Sequence, residues 1–236
     1  MGVAVRRAGK GVIVYDPREI ENPTPAAFDP AAWGAALRPT AGGRGASWFI
    51  ERAVGDDWVL RHYLRGGLPG RFIRDRYLWL GEASARPLAE WRLLYRLCHE
   101  LDLPVPTPVA AELRRHGPFY TGAIITRRLE GVSLAEILQR DGLEPALWRA
   151  VGSTLARFHA AGVDHADLNA HNILIDAGGR VALIDFDRGR LRRPGRWRAG
   201  NLERLARSLG KLLGPRWAAI RDSGWQTLRE AYASRL

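Results

Sequence analysis

Apolar residues recur along this chain with two periods, and the change from one to the other falls near its middle. In the first half, residues 11–15 (GVIVY) form a β-branched run that reads as a strand. A Pro-rich stretch, residues 23–30, precedes a short helix predicted around Ala31–Leu37. Residues 46–53 and 57–64 alternate about a turn at Gly55–Asp57, the pattern of a β-hairpin. Leu88, Trp91, Leu94, Tyr95 and Cys98 share one stripe of a helix running to about His99, with Ser84 as its expected N-cap. Three prolines hold residues 103–108 (LPVPTP) extended. Two further strands are expected near Val109–Leu113 and Tyr120–Arg127.

In the second half the helical period dominates. Ser133 and Glu136 form a capping box ahead of Leu134, Ile137 and Leu138. Leu147, Val151, Leu155 and Phe158 mark an amphipathic helix that Gly162 ends. Two short strands, Ile173–Asp176 and Val181–Asp185, flank the turn Ala177-Gly178-Gly179. From Asn201 onwards the pattern is helical, broken near Gly214-Pro215. The expected fold class is α+β and bilobal: an antiparallel-sheet N-lobe over residues 1–127 and a reduced, mainly helical C-lobe over 128–236, with the boundary near 127–132.

Of the 236 residues, 46% are hydrophobic and 26% charged, an ordinary globular composition. A single cysteine, Cys98, excludes an intrachain disulfide and fits a reducing compartment. No apolar run approaches the ~18 residues a membrane span requires, and Arg6, Arg7 and Lys10 interrupt any signal-peptide core. The net charge of +11 points to an anionic partner: nucleic acid, a phospholipid surface or a phosphorylated substrate.

The chemistry concentrates in His165-Ala166-Asp167-Leu168-Asn169-Ala170-His171-Asn172 and, after a short hairpin, Asp185-Phe186-Asp187. A hairpin returns its end to its beginning, so Asp185 is expected beside the loop that holds Asp167 and Asn172. Two carboxylates and an amide then converge, a donor set for a hard cation such as Mg²⁺. Asp185 and Asn172 would take the ion, leaving Asp167 to orient and deprotonate an attacking hydroxyl, the division of labour in kinases. His165 is expected to prop the backbone; His171 either touches substrate or packs.

The phosphates of a nucleotide are expected in the N-lobe. Gly42-Gly43-Arg44-Gly45 precedes a strand, and its backbone can approach oxyanions closely. Arg61 stands where a kinase has its phosphate-holding lysine. Glu90 is either its ion-pair partner or part of a solvated helix face. A segment around Ile125–Glu130 should cross between lobes and offer backbone groups to an adenine ring.

With these residues in view, the chain resembles the lipopolysaccharide kinase family, and within it the 3-deoxy-D-manno-octulosonic acid (Kdo) kinases. The resemblance runs from about Arg44 to Arg207 and rests on WVLRHYLRGGLPGRFIRDRYLW (58–79), HADLNAHNILID (165–176) and IDFDRGRLRRPGRWRAGNLERL (184–205). It implies a shortened protein-kinase-like fold and phosphorylation of the 4-hydroxyl of a Kdo residue on a lipid A precursor, using ATP. It also implies Asp167 as base, with Asn172 and Asp185 on Mg²⁺. Asn169 stands where Ser/Thr protein kinases carry lysine, and Asp187 replaces the glycine of DFG. Only 49 residues follow Asp187, with no APE motif and no long activation segment, so a peptide platform is expected to have little chain to be built from.

Two arginine-rich stretches match an anionic glycolipid acceptor. One holds Arg61, Arg65, Arg71, Arg74 and Arg76 among Phe72, Ile73, Tyr77 and Trp79. The other holds Arg188, Arg190, Arg192, Arg193, Arg196 and Arg198 with Trp197. Both are expected to dock the protein peripherally on the cytoplasmic face of the inner membrane, and no nucleic acid is expected. The competing readings are a heptose kinase or aminoglycoside-type phosphotransferase of the same fold, and a binding protein that has lost catalysis.

Overall fold

The computed structural model describes residues 2–40, 47–52, 55–63, 77–140, 142 and 144–236. Two compact units emerge: Met1–Tyr95 with Pro106–Arg128, and Arg96–Val105 with Leu129–Leu236. The division is thus not one cut near 127–132, because residues 96–105 belong with the second unit. Gly42, Gly43, Arg44 and Gly45, together with Arg65, Arg71, Phe72, Ile73, Arg74 and Arg76, lie outside the described residues.

The first unit contains strands β1 (Ala4–Ala8), β2 (Gly11–Tyr15), β3 (Leu37–Pro39), β4 (Ser47–Ile50), β5 (Trp58–His62) and β6 (Tyr77–Leu78). Helix α1 (Arg86–His99) follows, entering the second unit in its last turn, and then strands β7 (Pro108–His116) and β8 (Phe119–Arg127). Among the described residues eight strands form one antiparallel sheet in the order β1-β2-β7-β8-β5-β4-β3, with β6 also on β8. The predicted hairpin is present as β4 on β5, with Ser47 opposite Arg61 and Ile50 opposite Trp58. Ile13, Ile50, Trp58, Leu60, Val109 and Ile125 pack into one core with Phe28. Gly122 lets α1 reach the sheet, since a Cβ there would meet Pro87 Cγ at 2.6 Å.

Two local expectations shift. Ser84 does not cap α1; it closes a separate 3₁₀ turn (Glu82–Ser84), and the first helical bond runs from Ala89 N–H to the Ala85 carbonyl at 2.9 Å. Pro87, preset for a first turn, starts this helix without a hydroxyl cap. Residues Pro30–Ala36 form 3₁₀ turns kinked at Gly34 (φ +51°), with the Asp29 carboxylate accepting from Ala31 N–H at 3.0 Å.

The second unit contains β9 (Val132–Ser133), α2 (Leu134–Arg140), α3 (Pro145–Ala160), β10 (Val163–Asp164), β11 (Ile173–Ile175), β12 (Val181–Leu183) and β13 (Arg190–Leu191). Helices α4 (Trp197–Leu213), α5 (Trp217–Ile220) and α6 (Gln226–Ala233) complete it. The capping box is formed: Glu136 accepts from the Ser133 N–H (3.1 Å) and hydroxyl (2.7 Å), while Ser133 Oγ accepts from Glu136 N–H (3.2 Å). β11 pairs with both β12 and β9, and β10 pairs with β13. Leu155, Phe158, Phe186, Leu205 and Leu209 are fully buried, and the Phe158 and Phe186 rings stack at 6.0 Å. α3 packs closely on α6 at Gly152, where a Cβ would meet the Leu228 carbonyl at 2.2 Å.

Candidate active site

The loop between β10 and β11 carries the predicted chemistry. Ala166 takes a left-handed conformation (φ +61°), and Asp167 N–H donates to the His165 carbonyl at 2.7 Å. This tight turn presents the Asp167 side chain to solvent, 61% exposed. Asn169 Nδ2 donates to the Asp167 carbonyl (3.1 Å) and to its carboxylate (3.4 Å), while Asn169 Oδ1 accepts from His171 N–H (2.9 Å). A short 3₁₀ turn, Ala170–Asn172, then leads into β11.

Asn172 is buried, and its Nδ2 donates to the Asp167 carbonyl at 3.1 Å. That bond uses the amide nitrogen, so a cation here could be met by Oδ1. Ile184 N–H donates to the Asn172 carbonyl at 3.1 Å, which brings Asp185 alongside. The pairing of Ile173 with Leu183 continues the same register. Asp185 has φ +63°, a conformation Asp tolerates better than most residues and one that concentrates at functional sites. The loop and the returning hairpin thus bring Asp167, Asn172 and Asp185 onto neighbouring segments.

Three buried groups underneath hold the loop. His165 Nε2–H donates to the Ile184 carbonyl (2.9 Å), His165 N–H donates to Asn201 Oδ1 (3.2 Å), and the ring packs on Phe186 at 4.6 Å. Burial lowers the His165 pKa, so the ring is a neutral prop. Asp164, also buried, accepts from Asn201 Nδ2 (2.9 Å), Arg192 Nη1 (3.0 Å) and Ala166 N–H (3.3 Å). Burial opposes its charge, but these bonds outweigh burial and hold its pKa below the ordinary carboxylate value. The clamp from Asp164 to Asn201 spans 37 positions, and no local sequence signal announces it.

In the first unit Arg61 and Glu90 meet. Arg61 Nη2 donates to Glu90 Oε1 (2.6 Å) and Oε2 (2.5 Å), and the Tyr63 hydroxyl also donates to this carboxylate. Glu90 is 4% exposed, so the solvated-face alternative falls. Of the second arginine stretch, Arg190 and Arg192 pair with Asp164 (3.9 and 3.0 Å), and Arg198 donates to the His159 carbonyl (2.8 Å). Arg188, Arg193 and Arg196 are exposed. Sequence reasoning missed α4 as part of the site: Arg204 Nη1 stands 3.9 Å from Asp167 Oδ1, and Ser208 Oγ accepts from Ala170 N–H at 3.2 Å.

Comparison with known proteins converges on the same chemistry. The model of the lipopolysaccharide kinase (Kdo/WaaP) family matches residues 34–232. A 3-deoxy-D-manno-octulosonic acid kinase of Xanthomonas axonopodis pv. citri (strain 306) is 50% identical over 227 residues, covering 95% of this chain and 90% of the relative. The enzyme of the same name from Stenotrophomonas maltophilia (strain K279a) is 48% identical over the same shares.

Proposed function

Since the chain belongs to the lipopolysaccharide kinase (Kdo/WaaP) family, we propose that it is a Kdo kinase, moving the γ-phosphoryl group of ATP to the 4-hydroxyl of a Kdo residue on a lipid A precursor. The observation that carries this reading is the Asp167 carboxylate, exposed on a tight loop and oriented by Asn169, with Asn172 and Asp185 on adjoining backbone.

Asp167 accepts the proton of the acceptor hydroxyl as its oxygen bonds to the γ-phosphorus; the bond from that phosphorus to the bridging oxygen breaks, and ADP leaves with that electron pair. Asn169 fixes the direction of the carboxylate. Arg61, oriented by the buried Glu90, is suited to neutralise nucleotide phosphates. Asn172 Oδ1 and the Asp185 carboxylate are hard oxygen donors, one neutral and one anionic, and fit Mg²⁺ with room for phosphate oxygens and water. That ion would supply charge neutralisation on the phosphates.

Peripheral attachment to the cytoplasmic leaflet of the inner membrane belongs to the same proposal. It is supported by the exposed Arg188, Arg193 and Arg196, and separately by Leu78 and Leu80, 52% and 73% exposed on either side of Trp79. The function is tested by offering the enzyme, ATP and Mg²⁺ a panel of acceptors: Kdo-lipid A precursor, a heptosylated core and an aminoglycoside. Label on the Kdo 4-hydroxyl alone is expected; label on either of the other acceptors, with none on Kdo, would overturn the assignment.

A further inference from the structure

Helix α4 lies against the loop that carries Asp167, and the two line an open pocket of about 420 Å³. From the loop come Asp167 and His171; from the helix come Arg204, Arg207 and Lys211. The three cations follow the i, i+3, i+7 spacing of one helix face, and at ~1.5 Å rise per residue the row extends roughly 10 Å. Arg204 is matched by Asp167 at 3.9 Å, and among the described residues Arg207 pairs only with Glu203, on its own helix, at 3.9 Å. Lys211 forms no ion pair among the described residues. The pocket therefore carries excess positive charge beside the carboxylate that would receive the acceptor's proton. A neutral sugar filling it could accept hydrogen bonds from these cations through its hydroxyls but would leave their charge unmatched, whereas an anionic group accepts the same bonds with charge assistance and offsets the charge.

We propose that Arg207 and Lys211 grip the carboxylate of the acceptor sugar acid and thereby choose which hydroxyl meets Asp167. This inference rests on the functional reading above, in which the acceptor is a sugar acid. Arg204 remains with Asp167, so the two grips are separated by one to two helical turns. A sugar ring beside α4 then has its carboxylate towards Arg207 and Lys211 and its reacting hydroxyl towards Asp167. Acceptor recognition thus moves to the α4 face from the Arg188–Arg198 stretch, where Arg190, Arg192 and Arg198 are engaged inside their own unit.

The test pairs substitutions with changes to the acceptor. Arg207 is 62% exposed on α4, and the double variant R207Q/K211M is expected to keep the wild-type melting temperature. Wild type is assayed with Kdo-lipid A precursor, with its Kdo methyl ester and with its dephosphorylated form. Esterification should raise the wild-type acceptor KM on the order of 30-fold. R207Q/K211M should show a similar rise with the free acid, little further loss on esterification, and an unchanged KM for ATP. Dephosphorylation should cost both proteins equally. An ester penalty of full size in the double variant would overturn the proposal. So would a penalty for dephosphorylation that disappears in the variant, since that would assign the grip to the lipid A phosphates. Absence of transfer to any Kdo acceptor by the wild type would instead remove the functional reading, and this inference with it.

Discussion

Asp164 and Asp167 are three positions apart and have opposite surroundings. Asp164 is buried and tied by Asn201, Arg192 and a backbone N–H; Asp167 is open to solvent with Asn169 and Arg204 at its oxygens. One carboxylate anchors the loop, and the other is available to a substrate. Histidines divide unequally too: His159 and His165 are buried, while His171 is exposed beside Asp167. Burial, aided by the Arg198 guanidinium, pushes His159 from the ordinary 6.5 down to about 4, and its Nδ1 shares a 2.7 Å hydrogen bond with the Tyr232 hydroxyl. Between these values the unfolded chain holds a proton on this ring and the folded chain does not, so stability rises with pH across the window. Acidification from 6.5 towards 4 should therefore cost up to about 3 kcal/mol. Melting temperatures measured from pH 7.5 to 4.5 should fall towards acid, and less steeply in His159→Gln; equal slopes in the two proteins would count against the assignment.

Among elements, those with local signals were legible in the sequence. The β4–β5 and β11–β12 hairpins alternate or flank glycine turns, and the Ser133/Glu136 box is a four-residue pattern with defined hydrogen bonds. Ser133→Ala removes one side of that box and should lower stability by about 1 kcal/mol, read by denaturant unfolding, with nucleotide affinity unchanged. Strands β9, β10 and β13 were not legible because two residues carry no period, and their pairing partners lie far along the chain. Ser84 misled because a capping residue near a helix start is only a preference, and Pro87 made it dispensable. The site followed the same rule. Asp167, Asn172 and Asp185 share one loop and one hairpin, so their neighbourhood could be read in advance. The Asp164–Asn201 clamp and the α4 cations depend on how a distant helix packs. Their i, i+3, i+7 spacing was visible, but what that face would meet was not.

Across the full chain the +11 charge is unevenly committed. Several arginines, among them Arg18, Arg61, Arg127 and Arg192, close ion pairs within their own unit, whereas Arg188, Arg193 and Arg196 are exposed. The proposed peripheral attachment, if made through the exposed set, should then be electrostatic at first contact. Sedimentation with anionic liposomes should be strong at low salt and fall steeply as ionic strength passes that of the cell; equal binding to neutral liposomes would contradict it. Membership of the family and the loop geometry support the proposed reaction, in which Asp167 would take a proton while phosphate changes hands. Transfer of labelled γ-phosphate to Kdo-lipid A precursor should therefore be compared between wild type and Asp167→Asn, with Mg-ATP affinity measured on both by calorimetry. Turnover should drop by roughly 10²–10⁴ while nucleotide affinity holds within a few-fold, and an Asp167→Asn enzyme that turns over like the wild type would contradict the assignment of the base.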